Sequence, residues 1–245
     1  MSNQIYQYSI LGALMHGICH DGTPVQQILR HGDHGIGTIR GMDGEVIIVD
    51  GEAYHFPPDG PLREIEDTDT IPFIMMTQFK PTLSKSVSSL SMGTGLSPSL
   101  PLLDALSPLL PAQQNRFLSI RIDANFLYIK FRVIPAQTKS RESLADLAKR
   151  QAIKERSDLP GVLFGFWSPA HSSGFSVAGF HLHFISSDRT CGGHVMGFEA
   201  RDVQLRAAGI GNYHVELPAS AEFNDVCMGR AMEKDLHAAE GNPGC

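Results

Sequence analysis

Short apolar runs bounded by turn residues recur along the chain, and they predict β-strands rather than helices. In residues 35–56, GIGTIRGMDGEVIIVDGEAYHF, the pairs Asp43-Gly44 and Asp50-Gly51 are typical of two-residue hairpins, and VIIV between them is rich in β-branched residues. Residues 71–79, IPFIMMTQF, form another run of strand length. Residues 119–134 alternate well enough for two strands on either side of Asp123-Ala124-Asn125.

One segment has the period of a helix. SLADLAKRQAIKER, residues 143–156, aligns Leu144, Leu147, Ala148 and Ile153 in an apolar stripe, with Ser143 as the N-cap. Strands return in GVLFGFWSP, GFSVAGFHLHFI, HVMGF, VQLRAAGI and YHVELP, and residues 222–240 are compatible with a final helix. Residues 83–113 are rich in Ser, Leu and Pro without a clear period, which indicates a long surface excursion or a broken helix. The pattern as a whole predicts an α+β fold dominated by strands, with few helices.

Composition narrows the class of protein. The chain of 245 residues is 42% apolar and 19% charged, as in a soluble globular protein. Its net charge of −6 gives no basic field for nucleic acid or an anionic membrane. No apolar run approaches the roughly 20 residues of a membrane span, and the N-terminus lacks the regions of a signal peptide, so we expect a cytoplasmic protein. The four cysteines form no C-x-x-C pair, which favours free thiols over a thiolate metal site.

The segment GFHLHFISSDRTCGGHVMGF, residues 179–198, concentrates three histidines. Side chains at i and i+2 of a strand project from one face, so His181 and His183 point together. The Ser-Ser-Asp and Gly-Gly that follow favour a turn, which can return His194 to the same place. Three neutral nitrogens with an open fourth position are what a catalytic zinc site needs, although other divalent metals fit the same donors. Structural histidines bonded to backbone are the alternative.

The chain resembles the acetolactate decarboxylase family over nearly its full length. The resemblance is carried, in the family's order, by GIGTIRGMDGEVIIVDGEAYHF, SIRIDANF, the Arg132 strand, GFHLHFISSDRTCGGHV and the tail AAEGNPG. The most specific pieces are GIGT…DGE, G-[FY]-H-L-H-F-I with GGHV, and the closing EG-x-P. Residues 83–113 are longer and richer in Ser and Pro than is usual in this family.

This resemblance implies a zinc-dependent enzyme that converts 2-acetolactate to acetoin and carbon dioxide. It implies that Zn²⁺ is held by the residues matching His181, His183 and His194, and that the same site is lined by Glu45, Arg132 and Glu240. It also implies two β-rich domains, a mixed sheet over residues 1–138 and a β-barrel over residues 139–245 that carries the histidines. A homodimer is implied as well.

The expected chemistry fits these side chains. Two oxygens of acetolactate can chelate a metal, and a Lewis acid stabilises the negative charge of the enediolate that loss of carbon dioxide leaves. Arg132 can hold the carboxylate through a bidentate fork. Glu45 or Glu240 can deliver the proton to the enediolate, and the residues alone do not decide between them.

Each residue has another interpretation when taken singly. Glu45 fits a solvated hairpin residue, with Glu52 after the second Asp-Gly as an equal rival. Arg132 fits a surface ion pair, and Glu240 fits a helix end. For the whole protein the alternatives are another three-histidine zinc lyase of the hydratase type, or a cupin-like module that binds a metal or ligand. A cupin would normally place a glutamate shortly after H-x-H, where this chain has Ile-Ser-Ser-Asp at 185–188.

Overall fold

The computed structural model describes residues 3–93, 99–110 and 114–228. Strands dominate these residues, which confirms the predicted fold class. In chain order the strands are β1 (Gln4–Tyr8), β2 (Thr23–Pro24), β3 (His34–Thr38), β4 (Glu45–Val49), β5 (Glu52–Phe56), β6 (Arg63–Glu64), β7 (Thr70–Ile71), β8 (Phe73–Thr77), β9 (Leu83–Met92), β10 (Leu100–Pro101), β11 (Leu118–Val133), β12 (Ala152–Arg156), β13 (Leu159–Ser168), β14 (Gly179–Ser186), β15 (Gly192–Gly209) and β16 (Asn212–Glu216). The α-helices are all short: α1 (Leu11–Met15), α2 (Val25–Ile28), α3 (Leu102–Ala105), α4 (Leu144–Ala148) and α5 (Ala221–Asn224).

Two seven-stranded sheets make up the body of the molecule. The first has the order β16-β1-β8-β3-β4-β5-β6, and it is mixed because β16 runs parallel to β1 while the other neighbours are antiparallel. The second has the order β10-β9-β15-β14-β13-β11-β12. In it β11 also pairs with β15, so that β11, β13, β14 and β15 close into a barrel. The expected combination of a mixed sheet and a barrel is therefore present.

Apolar side chains fill the space inside the barrel, between the two sheets, and behind the first sheet. Phe126, Phe184 and Phe198 pack edge to face within the barrel. A separate cluster joins residues of the first sheet, such as Ile47 and Met75, to Phe164 and other barrel residues. Burial of this seam fixes how the two sheets face each other, and the functional side chains described below lie along it.

The hairpin predictions for residues 35–56 are correct for one of the two turns. Asp50 and Gly51 connect β4 and β5 as a two-residue turn, with φ of 56° and 86°, which is the positive-φ pair that such a turn requires. The connection before Glu45 is longer, because a 3-10 helix at Arg40–Met42 precedes Asp43-Gly44. Residues 71–79 contain the predicted strand, β8.

The prediction of two strands within residues 119–134 was wrong, because β11 is one strand of sixteen residues. Instead of turning the chain, the segment at Asp123–Asn125 contains a β-bulge: the register with β15 shifts there and again at Phe126/Tyr128 and Lys130/Phe131. Bulges bend a strand without ending it. This bending lets β11 follow β15 around the barrel.

The helix predicted for residues 143–156 is correct only in its first half. Ser143 caps α4, with its Oγ accepting a hydrogen bond from the Asp146 backbone N–H at 3.1 Å. From Ala152 the chain forms β12, which pairs with residues 129–133 of β11 at the edge of the barrel sheet. The open edge of β11 offers backbone hydrogen bonds that outweigh a weak helical preference.

The prediction of a surface excursion or broken helix over residues 83–113 was wrong for Leu83–Met92, which form β9, whereas Leu102–Ala105 do form a short helix, α3. β9 pairs with residues 198–207 of β15. Exposure alternates along β9, with Ser84, Ser86 and Ser88 outward and Leu83 and Val87 partly buried. That period of two was present in the sequence. Residues 94–98 and 111–113 lie outside the described residues.

Sheet membership does not follow the division expected at residue 138. β9 and β11, which precede it, belong to the barrel, and β16, near the end of the described chain, belongs to the first sheet. The bounds 1–138 and 139–245 as folding units stay a prediction. Among the helices of the described residues, none is long and apolar enough to cross a membrane.

Candidate active site

The three histidines of the predicted cluster meet on the barrel wall. β14 presents His181 and His183 on one face, and β15 brings His194 into direct register with His183. One possible ligand atom from each residue lies within 4.8 Å of the others, and all three side chains are buried. Side chains alternate along β14, and the chain turns back as β15, so the three histidines form one group, as predicted.

Small residues allow this close approach. The turn itself spans residues 187–191, where the Ser186 Oγ accepts from the backbone N–H groups of Thr190 and Cys191. Gly192 and Gly193 lie inside β15 rather than in the turn. A Cβ at Gly192 would lie 2.2 Å from the Phe184 carbonyl oxygen, and one at Gly193 would lie 2.6 Å from that of Arg132. Glycine is therefore required there by packing against the neighbouring strands.

Burial keeps the imidazoles of His181 and His183 neutral. Desolvation, followed by the charge of Arg132, lowers the pKa of His181 to about 3. Desolvation also holds the pKa of His183 well below its ordinary value. The Nδ1 atom of His183 lies 2.8 Å from the Val46 carbonyl oxygen, which can only accept, so Nδ1 carries the proton and Nε2 carries a lone pair. Neutral imidazole with an oriented lone pair is the form that binds a metal.

An acidic side chain faces this lone pair. Glu45, at the start of β4, is 6% exposed, and its Oε2 lies 3.5 Å from the His183 Nε2. This separation is within ion-pair range, but a neutral His183 has no charge to pair with Glu45. The His183 Nε2 lone pair and the Glu45 Oε2 are therefore two hydrogen-bond acceptors that face each other. Within the described residues, the buried His183 Nε2 and His181 Nδ1 have no hydrogen-bond partner. A cation between these acceptors would satisfy them, so the residues present fit a metal ion.

Arg132 joins Glu45 to the histidine strands. It lies opposite His194 in the β11–β15 ladder, is 3% exposed, and places its NH1 3.3 Å from the Glu45 Oε1. The same oxygen also accepts from the Ile134 backbone N–H at 3.4 Å. A buried guanidinium beside a buried carboxylate is stable only as a pair, so each fixes the other. The sequence-predicted residues Glu45, Arg132, His181, His183 and His194 are thus brought together.

Glu52, the rival of Glu45, lies elsewhere. It is exposed on β5 and accepts a hydrogen bond from the Tyr54 hydroxyl. The predicted Glu240 lies outside the described residues. Of the two Asp-Gly-Glu glutamates, the structure therefore places only Glu45 at the site.

A cavity opens in front of these polar groups. It encloses about 400 Å³, part of it open to solvent, and Glu45, Arg132, His181 and His194 line its polar side. The remaining wall is mainly apolar, and its residues are Leu11, Leu14, Gly37, Thr38, Met42, Phe73, Ile134 and Leu144. A small polar ligand with apolar substituents would fit a cavity of this character.

The apolar wall of the cavity was not predicted from the sequence. Leu11 and Leu14 come from α1, whose five buried residues carry no capping side chain or clear period. Leu144 was predicted as part of a helix but not as part of a site. Thr38 also lines the cavity, and its hydroxyl donates to the Gly44 carbonyl at 2.7 Å, which ties β3 to the turn before Glu45. In the sequence, Thr38 was distinguished only as the last residue of the GIGT motif.

The strand-dominated pair of sheets and the buried three-histidine group define a β-barrel protein with a candidate metal centre. The model of the alpha-acetolactate decarboxylase family matches residues 5–229. The chain belongs to this family and is a carboxy-lyase, and its membership supports decarboxylation of acetolactate.

Relatives and solved structures agree with this assignment. The alpha-acetolactate decarboxylase of Methanosarcina mazei is 34% identical over 98% of this chain and 81% of its own length. That of Bacillus licheniformis is 32% identical over 98% of this chain and 93% of its own length. The crystal structure of the enzyme from Bacillus subtilis superimposes with a TM-score of 0.89 at 31% identity, covering 98% of this chain and 100% of that one.

Proposed function

We propose that this enzyme converts 2-acetolactate to acetoin and carbon dioxide at a zinc ion held by His181, His183 and His194. The observation that carries the metal is the bare His183 Nε2 facing the Glu45 carboxylate in a buried site. Three imidazoles are a donor set that suits zinc. When bound, the ion would act as a Lewis acid on the substrate oxygens and lower the cost of negative charge there.

The protein side chains account for the rest of the chemistry. Arg132 would receive the substrate carboxylate, because its guanidinium is buried beside the cavity and can form two parallel hydrogen bonds. When the carboxylate leaves as carbon dioxide, the electron pair of the broken bond stays on the substrate as an enediolate. The apolar wall of Leu11, Leu14 and Leu144 excludes water at this stage and provides space for the two methyl groups.

A proton must then reach one carbon of the enediolate. Glu45 is the described carboxyl group that lines the cavity, and its contacts with Arg132 and Ile134 hold it in one orientation. The family resemblance adds Glu240 as the second candidate. We propose that one of these two carboxyl groups is the donor. A cytoplasmic location and a homodimer stay predictions.

The test is to purify the protein, measure its bound metal, and add racemic acetolactate while acetoin is monitored. We expect about one zinc per chain and formation of acetoin. A fully metal-loaded protein that forms no acetoin would contradict the proposal and favour a hydratase-type lyase or a binding module. If metal-free protein formed acetoin at the full rate, the proposed role of zinc would be wrong, while the proposed reaction would stand.

A further inference from the structure

A second cavity lies between the two sheets, at the loop that follows β5. It encloses about 460 Å³, part of it open to solvent. The first sheet contributes Phe56 and the loop after it. The barrel contributes Lys154 and Arg156 from β12, Cys191 from the turn before β15, and Gly192 at the start of β15. It shares no lining residue with the candidate active site.

Two cations are concentrated in this cavity. Lys154 and Arg156 are two residues apart on one strand, so their side chains project from the same face, with roughly 7 Å between their Cα atoms. The residue between them, Glu155, points the other way and pairs with Lys130 at 3.1 Å. No salt bridge joins either cation to a carboxylate among the residues that the structure describes. Arg156 donates to the neighbouring Glu155 carbonyl, at 2.8 Å.

Among the described residues, Lys154 and Arg156 thus have no carboxylate partner, although the chain as a whole has a net charge of −6. A concave, partly enclosed surface concentrates the field of the charges that line it and attracts counter-ions. We propose that this cavity binds a small dianion, either a dicarboxylate or a phosphate group, through Lys154 and Arg156. Arginine supplies a planar fork for two oxygens, and lysine supplies a mobile point charge for a third.

The walls of this anion cavity are adjacent to the strands of the candidate active site. Phe56 lies opposite Glu45 in the β4–β5 ladder. Lys154 lies opposite Phe131, the residue before Arg132, and Gly192 is two residues before His194. An anion in the cavity therefore contacts β15, which carries His194, and the two strands that pair with those of Glu45 and Arg132. The proposal itself does not depend on the reaction that those residues catalyse.

Calorimetric titration of the intact protein with malonate and with inorganic phosphate, at constant ionic strength, tests the proposal. We expect saturable binding of at least one anion, and at least a tenfold weaker affinity in the double variant Lys154→Gln/Arg156→Gln. The matched control is Lys80→Gln/Arg116→Gln, which removes the same charge from exposed positions outside the cavity and should bind like the wild type. Preference for malonate would assign a carboxylate ligand, and preference for phosphate would assign a phosphate.

Equal affinity in the wild type and both double variants, or no saturation with either anion, would overturn the proposal. If the cavity double variant does not fold, as judged by circular dichroism, the single variant Arg156→Gln replaces it, because Arg156 is exposed. That variant should still weaken the affinity severalfold.

Cys191 provides an independent measurement, because its thiol lines the cavity while Cys227 is exposed elsewhere. An anion-attracting cavity should favour alkylation by iodoacetate over neutral iodoacetamide. Peptide mass spectrometry can measure, at each cysteine, the rate of alkylation by iodoacetate divided by the rate with iodoacetamide. We expect this ratio to be severalfold higher at Cys191 than at Cys227. The ratio at Cys191 should fall to that of Cys227 in the cavity double variant. Equal ratios at both cysteines of the wild type would contradict an anion site.

Discussion

The proposal of a metal site rests on the protonation state of His183. The contact from His183 Nδ1 to the Val46 carbonyl fixes which nitrogen bears the proton, and it leaves the other nitrogen for a ligand. Val46 follows Glu45 on β4, so the first sheet both orients the histidine and supplies the carboxylate that faces it. The site is therefore assembled by contacts between the two sheets.

Replacing His183 by alanine should remove the metal and the activity together, because it deletes the nitrogen that faces Glu45. Metal content by mass spectrometry and acetoin formation are the measurements. His171→Ala is the matched control, since His171 is an exposed histidine outside the cavity. A His183→Ala variant that retained a full complement of metal would remove His183 from the ligand set.

Glu45→Gln should lower kcat by about 100-fold or more, because the neutral amide can neither transfer a proton nor balance the charge of Arg132. Glu52→Gln makes the same change at the exposed glutamate of the second Asp-Gly-Glu and should leave turnover unchanged. Steady-state kinetics on both variants decide the comparison. Wild-type kcat in Glu45→Gln would limit Glu45 to a structural role.

Glu240→Gln tests the second candidate donor. The variant should retain its metal and slow turnover, as expected for a carboxyl group that acts on substrate rather than on metal. The two glutamine variants can then be ranked by kcat at saturating substrate. Unchanged rates in Glu240→Gln would leave Glu45 as the donor.

Secondary-structure elements show what the sequence can and cannot predict. The period of two placed His181 and His183 on one face, and Asp50-Gly51 predicted its turn, because both signals are local. β11 and β12 were mispredicted because partner strands decide their conformation: β15 accommodates the Asp123–Asn125 bulge, and the edge of β11 recruits residues 152–156. Glu45 and Arg132 were found through the family resemblance, since no local pattern distinguished Glu45 from Glu52.

The cap of α4 connects an element to the site. Ser143 accepts from the Asp146 N–H and α4 carries Leu144, which lines the candidate active-site cavity. Ser143→Ala should therefore reduce the free energy of unfolding by about 1 kcal/mol, the usual cost of losing an N-cap. Urea denaturation measures the change, with Ser157→Ala at an exposed loop position as the control. Equal stability of the two variants would show that the cap contributes nothing.

The described sheet and barrel bury His181 and His183 in the neutral form, so the stability of the molecule should depend on pH. His181 has a pKa of about 3 in the fold, and the pKa of His183 is also held well below its ordinary value, in both cases mainly by desolvation. In the unfolded chain both groups titrate near the ordinary value of about 6.5. Below that pH the unfolded state binds more protons than the folded state, so folding is disfavoured.

The stabilisation from these two histidines is therefore fully present above about pH 6.5 and is lost as the pH falls toward the folded pKa values. Each group contributes a slope of about 1.4 kcal/mol per pH unit, so metal-free protein should lose up to about 4 kcal/mol between pH 6.5 and pH 5. Urea unfolding of chelator-treated protein at pH 7, 6 and 5 measures this loss. His181→Asn should show about half the slope, because asparagine does not titrate, whereas an unchanged slope would mean that His181 is not held neutral by burial.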